Sequence, residues 1–382
     1  MIVPADPLDR TAEEAAIGAG IYVHVPFCLS RCGYCDFNAH AGLDPLKGPY
    51  VRALEREADL VAGEWGEERF VSVFVGGGTP TTLEVPALDG LLSHVRSRFD
   101  VDADAEVTIE ANPDTVDERR FRALLAAGYS RVSMGAQSFD PASLEALERI
   151  HSPDAVRRAF AEARSAGCRN LNVDLIYGAD GETLESWRRT LEQTISLAPE
   201  HISAYALTIE PATPLGRKVE AGAVAPPDPD VQADMFLLAC ELLDGAGFGH
   251  YEVSNWARPG YECRHNLGYW ERRPYLGLGA GAHSYRDRRR WWNVRPPDGY
   301  IRAVEAGEAP VGGDERLDPQ DDYLEEVFLR MRTLQGIPGS WVEDERAEGF
   351  LEAGLLDRRG RRLVPTDRGM LLLNEIVLSL TA

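Results

Sequence analysis

Six short β-rich runs, each followed by an amphipathic or loop-forming stretch, set most of what this chain can become. They are IYVHVPF (21–27), FVSVFVGGG (70–78), AEVTIEANP (105–113), RVSMGAQSF (131–139), NLNVDLIYG (170–178) and HISAYALTI (201–209). Between them lie PALDGLLSHVRSRF, DERRFRALLAAG and LESWRRTLEQTISLA, whose apolar residues recur at helical spacing. Strands that alternate with helices build a parallel sheet, because a parallel pair needs a long crossover between its members. Six such units form either an open doubly wound sheet or an incomplete barrel.

The polar residues decide between the two. The first run leads into a cysteine loop, the second ends in GGGTP (76–80), and the third ends near Glu110. Gln137 sits late in the fourth run, Asp174 lies in the fifth, and TIEPATP (208–214) closes the sixth. A barrel gathers its site from many strand ends on one rim, whereas an open sheet concentrates it at one switch point. The even spread predicts an α/β fold with an incomplete (β/α)6 barrel over 21–250. Residues 1–20 read as a disordered N-terminal tail. After a Pro-rich loop (221–230) and a helical pattern (231–247), residues 251–314 show few clear periods and read as a connecting segment. From 315 to 382, helical patterns surround LLDRRGRRLVPT, a hairpin with a basic turn. That combination predicts a small, mostly helical, winged-helix-like C-terminal domain.

Composition removes several classes of function. With 382 residues and 44% hydrophobic content, the chain builds a core without disulfide staples. A net charge of −22 is the opposite of a nucleic-acid footprint, the basic hairpin turn notwithstanding. The N-terminus lacks the basic start and apolar run of a signal peptide. No apolar run approaches the roughly 20 residues of a membrane span. The expectation is a cytoplasmic protein with reduced thiols.

Three of the six cysteines crowd into CLSRCGYC as Cys28, Cys32 and Cys35, while Cys168, Cys240 and Cys263 are scattered. Thiolates suit zinc or iron–sulfur iron. Zinc needs a fourth ligand, for which His24 or His40 would serve, since a second C-x2-C pair is missing. The other reading is a [4Fe–4S] cluster on three thiolates, with one iron open to a ligand from outside the chain. GGGTP lacks both the Gly-Lys-Ser/Thr of a phosphate loop and the spacing of a dinucleotide loop. Its glycines let backbone approach a ligand closely.

CLSRCGYC resembles the signature of the radical S-adenosylmethionine (SAM) family, and GGGTP resembles that family's loop for the methionine amino group. The ordered set of Tyr22, the cysteines, GGGTPT, IEANP, GAQSF, Arg149 and NVDLIYG resembles the coproporphyrinogen dehydrogenase-like subgroup, and the likeness covers nearly the whole chain. It implies a [4Fe–4S] cluster on Cys28, Cys32 and Cys35. It also implies S-adenosyl-L-methionine surrounded by Tyr22, Tyr34, Gly77, Gly78, Thr79, Glu110, Gln137, Arg149 and Asp174. The chemistry of these groups agrees: Glu110 and Asp174 accept from hydroxyl or amino groups, and Arg149 suits a carboxylate. Tyr22 and Tyr34 suit stacking on an adenine or packing in the core.

HNLGYW (265–270) resembles the H-N-x-x-Y-W element of HemW-type heme chaperones. The likeness implies heme as cargo, His265 as its axial ligand and Cys263 as the thiolate alternative. Without it, a lone His265 reads as a satisfied polar residue. DRRRWWN (287–293) joins arginines to tryptophans, which suits a flat carboxylated ligand or a solvated edge. Two functions follow from the resemblance. One is a chaperone that binds heme and passes it to acceptor proteins, with an electron donor serving the cluster. The other is an oxygen-independent coproporphyrinogen III dehydrogenase, a radical decarboxylase; a radical methyltransferase ranks behind both. The dehydrogenases resemble C-x3-C-x2-C-x-C and carry a longer N-terminal arm. Here Phe37 stands at the fourth cysteine's place, which favours the chaperone.

Overall fold

The β-branched and aromatic runs become strands buried on both faces, as parallel sheets covered by helices require. The computed structural model describes residues 18–381. Its central strands are β1 (Ala19–Val25), β2 (Arg69–Gly77), β3 (Asp100–Ala111), β4 (Arg131–Gln137), β5 (Leu171–Tyr177) and β6 (His201–Ala206). They are neighbours in chain order and every pairing is parallel. Among the described residues the two outer strands of the sheet do not meet, so this is the expected incomplete barrel. Most of the expected tail, 1–20, lies outside the described residues. Ala19 and Gly20 correct its boundary: they belong to β1 and pair with Phe70 and Ser72.

The crossovers begin and end where local chemistry says they should. Helices α1 (Lys47–Val61), α2 (Val85–Arg98), α3 (Glu118–Ala127), α4 (Pro153–Ala166) and α5 (Leu184–Ser196) each connect two successive strands. The side chains of Asp117, Ser152 and Thr183 accept from the N–H of Arg120, Ala155 and Ser186, capping α3, α4 and α5. Gly128 and Gly167 close α3 and α4 in the left-handed conformation, with φ of +101° and +97°.

Residues 251–314 do not form a mere connector. Gly249–Glu252 and Asn255–Ala257 add two antiparallel strands beside β6. At the opposite edge Tyr275–Leu278 pairs parallel with β1, and His283–Arg286, Arg289–Asn293 and Val311–Arg316 follow it antiparallel. The result is a 12-stranded sheet. Glu57 on α1 fastens this added wall. Its carboxyl is 2% exposed and accepts from Gly279 N–H (2.8 Å), Asn293 Nδ2 (2.6 Å) and the Tyr300 hydroxyl (2.5 Å). Burial pushes it up to about 7 against the pull of those donors.

The C-terminal module packs Pro319–Arg330, Asp344–Glu352 and Leu373–Thr381 around the hairpin Leu356–Arg359/Arg362–Pro365, with Ile337–Pro338 as a third strand. The stretch DRGMLLLNEIVLSL forms two helices, Asp367–Met370 and Leu373–Thr381. Buried Arg272 ties the module to the sheet through Asp322 (2.7 Å), Glu326 (3.1 Å) and the Tyr285 hydroxyl (2.6 Å). On another side His250 Nδ1 meets Asp367 Oδ1 at 3.0 Å, with Cys240 in the same cluster. Among the described residues no helix is long and apolar enough to cross a membrane.

Candidate functional site

Past Val25, Pro26 interrupts β1, and Phe27–Cys28 pairs instead with His40–Ala41. The cysteine loop is the excursion between those two segments. Cys28, Cys32 and Cys35 are free thiols, each partly exposed. Cys35 N–H bonds back to Cys32 O at 3.2 Å, and Arg31 donates to Cys35 O at 3.2 Å, which curls the loop. Of the two histidines that a zinc site would draw on, His24 has both ring nitrogens bonded and His40 one. His24 bonds the Tyr22 hydroxyl (3.0 Å) and Asn38 O (2.9 Å), and His40 bonds Asn38 Oδ1 (3.2 Å). Burial pushes the Cys35 thiol up to about 11 and raises that of Cys28, so a bound cation is what would make them thiolates.

The glycine loop at the end of β2 is laced to the cysteine loop. Gly78 N–H donates to Val25 O and Thr79 N–H to Phe27 O, both at 2.8 Å. The Thr79 hydroxyl lies 3.7 Å from Cys28 Sγ and accepts from Asn112 Nδ2 at 3.0 Å. Arg149 donates to Asn112 Oδ1 (2.6 Å) and to Cys32 Sγ (3.2 Å). Gly77 has φ +113°, and a Cβ there would stand 2.4 Å from the His24 ring. Its N–H donates to Glu110 Oε2 at 2.9 Å. Asn112 escaped the sequence reading, although it sits inside IEANP; only the acid of that motif was given a role.

Two carboxyls stand behind the glycines. Burial, reinforced by Asp174, pushes Glu110 up to about 7, and burial raises Asp174 as well. Asp174 accepts from the Ser133 hydroxyl (2.8 Å) and Asn172 Nδ2 (2.7 Å). Both acids line an inner cavity of about 200 Å³. An outer cavity of about 600 Å³ is lined by Tyr22, Gly77, Glu110 and Phe37. Gln137 ends β4 with φ +64°, a conformation uncommon for a side-chain-bearing residue. Tyr34 packs with Leu147, Ile176, Ala179 and Leu207, beside Arg149. The set therefore converges on one rim. Three thiols, a loop with no room for a Cβ and two buried acceptors fit a three-thiolate [4Fe–4S] cubane beside a small amino-acid-like cofactor.

His265 lines the inner cavity with Glu110 and Asp174, and Cys263 is buried two residues before it. The helix Arg264–Trp270 plugs the opposite end of the barrel, where Glu106 on β3 accepts from Cys263 Sγ (3.4 Å), Arg264 N–H (3.2 Å) and His265 N–H (3.2 Å). His265 Nδ1 bonds the Ser72 hydroxyl and Nε2 the Tyr269 hydroxyl, both at 2.9 Å, and the ring stacks on Phe74. His265 is 3% exposed and Cys263 0%. Burial drops the imidazole to about 3. In this arrangement both ring nitrogens of His265 are hydrogen-bonded within the protein, and the Cys263 thiol donates to Glu106.

A partial barrel carrying a three-cysteine loop beside a glycine-rich strand end defines a radical SAM protein. The Radical SAM superfamily model matches residues 22–194. The heme chaperone HemW of Mycobacterium tuberculosis (strain H37Rv) is 44% identical over 94% of each chain, and that of Escherichia coli (strain K12) is 42% identical over 83% of each. Within the superfamily the chain belongs to the HemW family. The E. coli coproporphyrinogen III oxidase HemN has the same fold, with a TM-score of 0.82 over 97% of this chain and 92% of that one; its 23% identity supports no more than the fold.

Proposed function

We propose that this protein is a cytoplasmic heme chaperone that binds heme and delivers it to acceptor proteins. In this reading Cys28, Cys32 and Cys35 hold a [4Fe–4S] cluster reduced by an external donor. Gly77, Gly78 and Thr79 offer backbone to the amino-acid end of S-adenosylmethionine, and Arg149, held by Asn112, takes its carboxylate. Tyr22 and Gln137 border the same rim with Glu110 and Asp174, while Tyr34 supports the cysteine loop from behind. The observation that carries the reading is 44% identity, over 94% of the chain, to a protein named as a heme chaperone. Phe37 agrees with it: 64% exposed, it borders the outer cavity at the place where decarboxylating relatives carry a further cysteine. The test is anaerobic titration with heme, run beside an assay for conversion of coproporphyrinogen III. A shifted Soret band without conversion supports the chaperone. Conversion without heme binding replaces it with the dehydrogenase.

A further inference from the structure

A protein that carries heme needs an iron ligand where heme can reach it, and the eight histidines of this chain can be sorted by what their ring nitrogens already do. His24, His201 and His265 have both nitrogens bonded within the protein. His40, His94, His151 and His250 each have one bonded. His283 has neither, and it is exposed. It begins the strand His283–Arg286, is paired across the sheet with Trp292, and stacks on that indole at 5.6 Å and 29°. The pair faces the outer cavity of about 600 Å³, together with Phe37, Tyr275 and Arg295. The aromatic lining from Phe37, Tyr275 and Trp292 suits a flat, largely apolar ligand with a few polar points, while Tyr22, Gly77 and Glu110 of the same cavity serve the cofactor.

The cavity lies against the cysteine loop. Asn38, three residues past Cys35, donates to Ala280 O (2.9 Å) and Arg295 O (2.8 Å), binding the loop to the wall that carries His283. The charges around His283 are sorted too. Arg290 is paired with Glu315 and Glu325, so it offers little to a ligand. The Arg295 side chain lines the cavity and has no such acid partner among the described residues. Partial burial of the ring against its neighbours, with Arg290 and Arg295, lowers the His283 pKa, which favours the neutral, ligating form.

We propose that His283 is the axial ligand of the carried heme, with Trp292 backing its imidazole and Arg295 receiving a propionate. The proposal rests on the heme-chaperone reading and names that reading's cargo site. It also gives a role to DRRRWWN, since Trp292 comes from that stretch.

The test is hemin titration of the intact, cluster-reconstituted protein, followed by optical and EPR spectra, for the wild type, His283→Ala and His265→Ala. His283 is exposed near the sheet's edge, so unchanged circular dichroism and iron content check that its variant is folded and loaded. Expected are loss of the histidine-ligated spectrum, at least tenfold weaker heme binding, and recovery of the spectrum on adding free imidazole. A His283→Ala protein with the wild-type spectrum and affinity overturns the assignment while leaving the chaperone reading intact. So does a folded His265→Ala protein that alone loses the spectrum. A wild type that gives no Soret shift overturns both.

Discussion

Replacing Gly77 by alanine probes the joint between the glycine loop and the cysteine loop. Gly77 sits at φ +113°, where a residue bearing a Cβ is strained by roughly 1–3 kcal/mol. The new methyl would meet the His24 ring at 2.4 Å, so the ring must move. Moving it breaks the bonds to Tyr22 and to Asn38 O, each worth about 1 kcal/mol net. The sum is about 3–5 kcal/mol. If roughly 3 kcal/mol of it falls on the cofactor site, S-adenosylmethionine binds about a hundredfold more weakly. Equilibrium dialysis with labelled cofactor on reconstituted protein measures this, and iron content checks that the three thiolates still hold the cluster. Cofactor affinity within twofold of wild type, with an unchanged melting temperature, would refute the reasoning: the loop would then be neither strained nor in contact with the ligand.

Three further outcomes are expected. Cys28→Ala or Cys32→Ala should cut the iron of anaerobically reconstituted protein to near background, and unchanged iron would contradict the three-thiolate site. Glu110 is raised by burial, so its neutral form favours the fold: the stability it contributes is complete below about pH 4 and is lost as pH rises through about 7. Glu110→Gln should therefore flatten the fall in melting temperature of the unloaded protein between pH 5 and 8; a variant with the wild-type slope removes Glu110 from the explanation, leaving it to Glu57, Glu182 and Glu252, which burial also pushes to about 7. Glu57→Ala strands Gly279 N–H and the Tyr300 hydroxyl at about 1–3 kcal/mol each and leaves Asn293 Nδ2 with Gly279 O alone, so chemical denaturation should show a loss on the order of 2–6 kcal/mol. A loss under 1 kcal/mol would mean that Glu57 does not fasten the added wall.

The barrel was legible because its signals are local. Apolar runs mark buried strands, Asp117, Ser152 and Thr183 announce helix starts, and Gly128 and Gly167 announce ends. The cysteine and glycine loops were legible because spacing restricts what they can hold. Residues 251–314 hid six strands' worth of pairing because their partners are far away in sequence: Tyr275 pairs beside Gly20, and Glu57 holds Asn293. No window along the chain contains both halves of such a contact. The surroundings of His265 are hidden in sequence for the same reason. Its motif is conspicuous in sequence, but its environment is set by Ser72 and Phe74, which only the folded barrel brings against it. Nothing next to His283 in sequence marks it. Its unbonded ring nitrogens and its stack on Trp292 are properties of the assembled sheet edge.

The central claim, a heme carrier built on a radical SAM barrel, meets its most direct test in one anaerobic titration. Protein reconstituted with iron and sulfide is titrated with hemin, then mixed with coproporphyrinogen III, S-adenosylmethionine and a reductant. A shifted Soret band saturating near one heme per chain, with no protoporphyrinogen formed, is the predicted result. Turnover of coproporphyrinogen III by protein that leaves the hemin spectrum unchanged would contradict it.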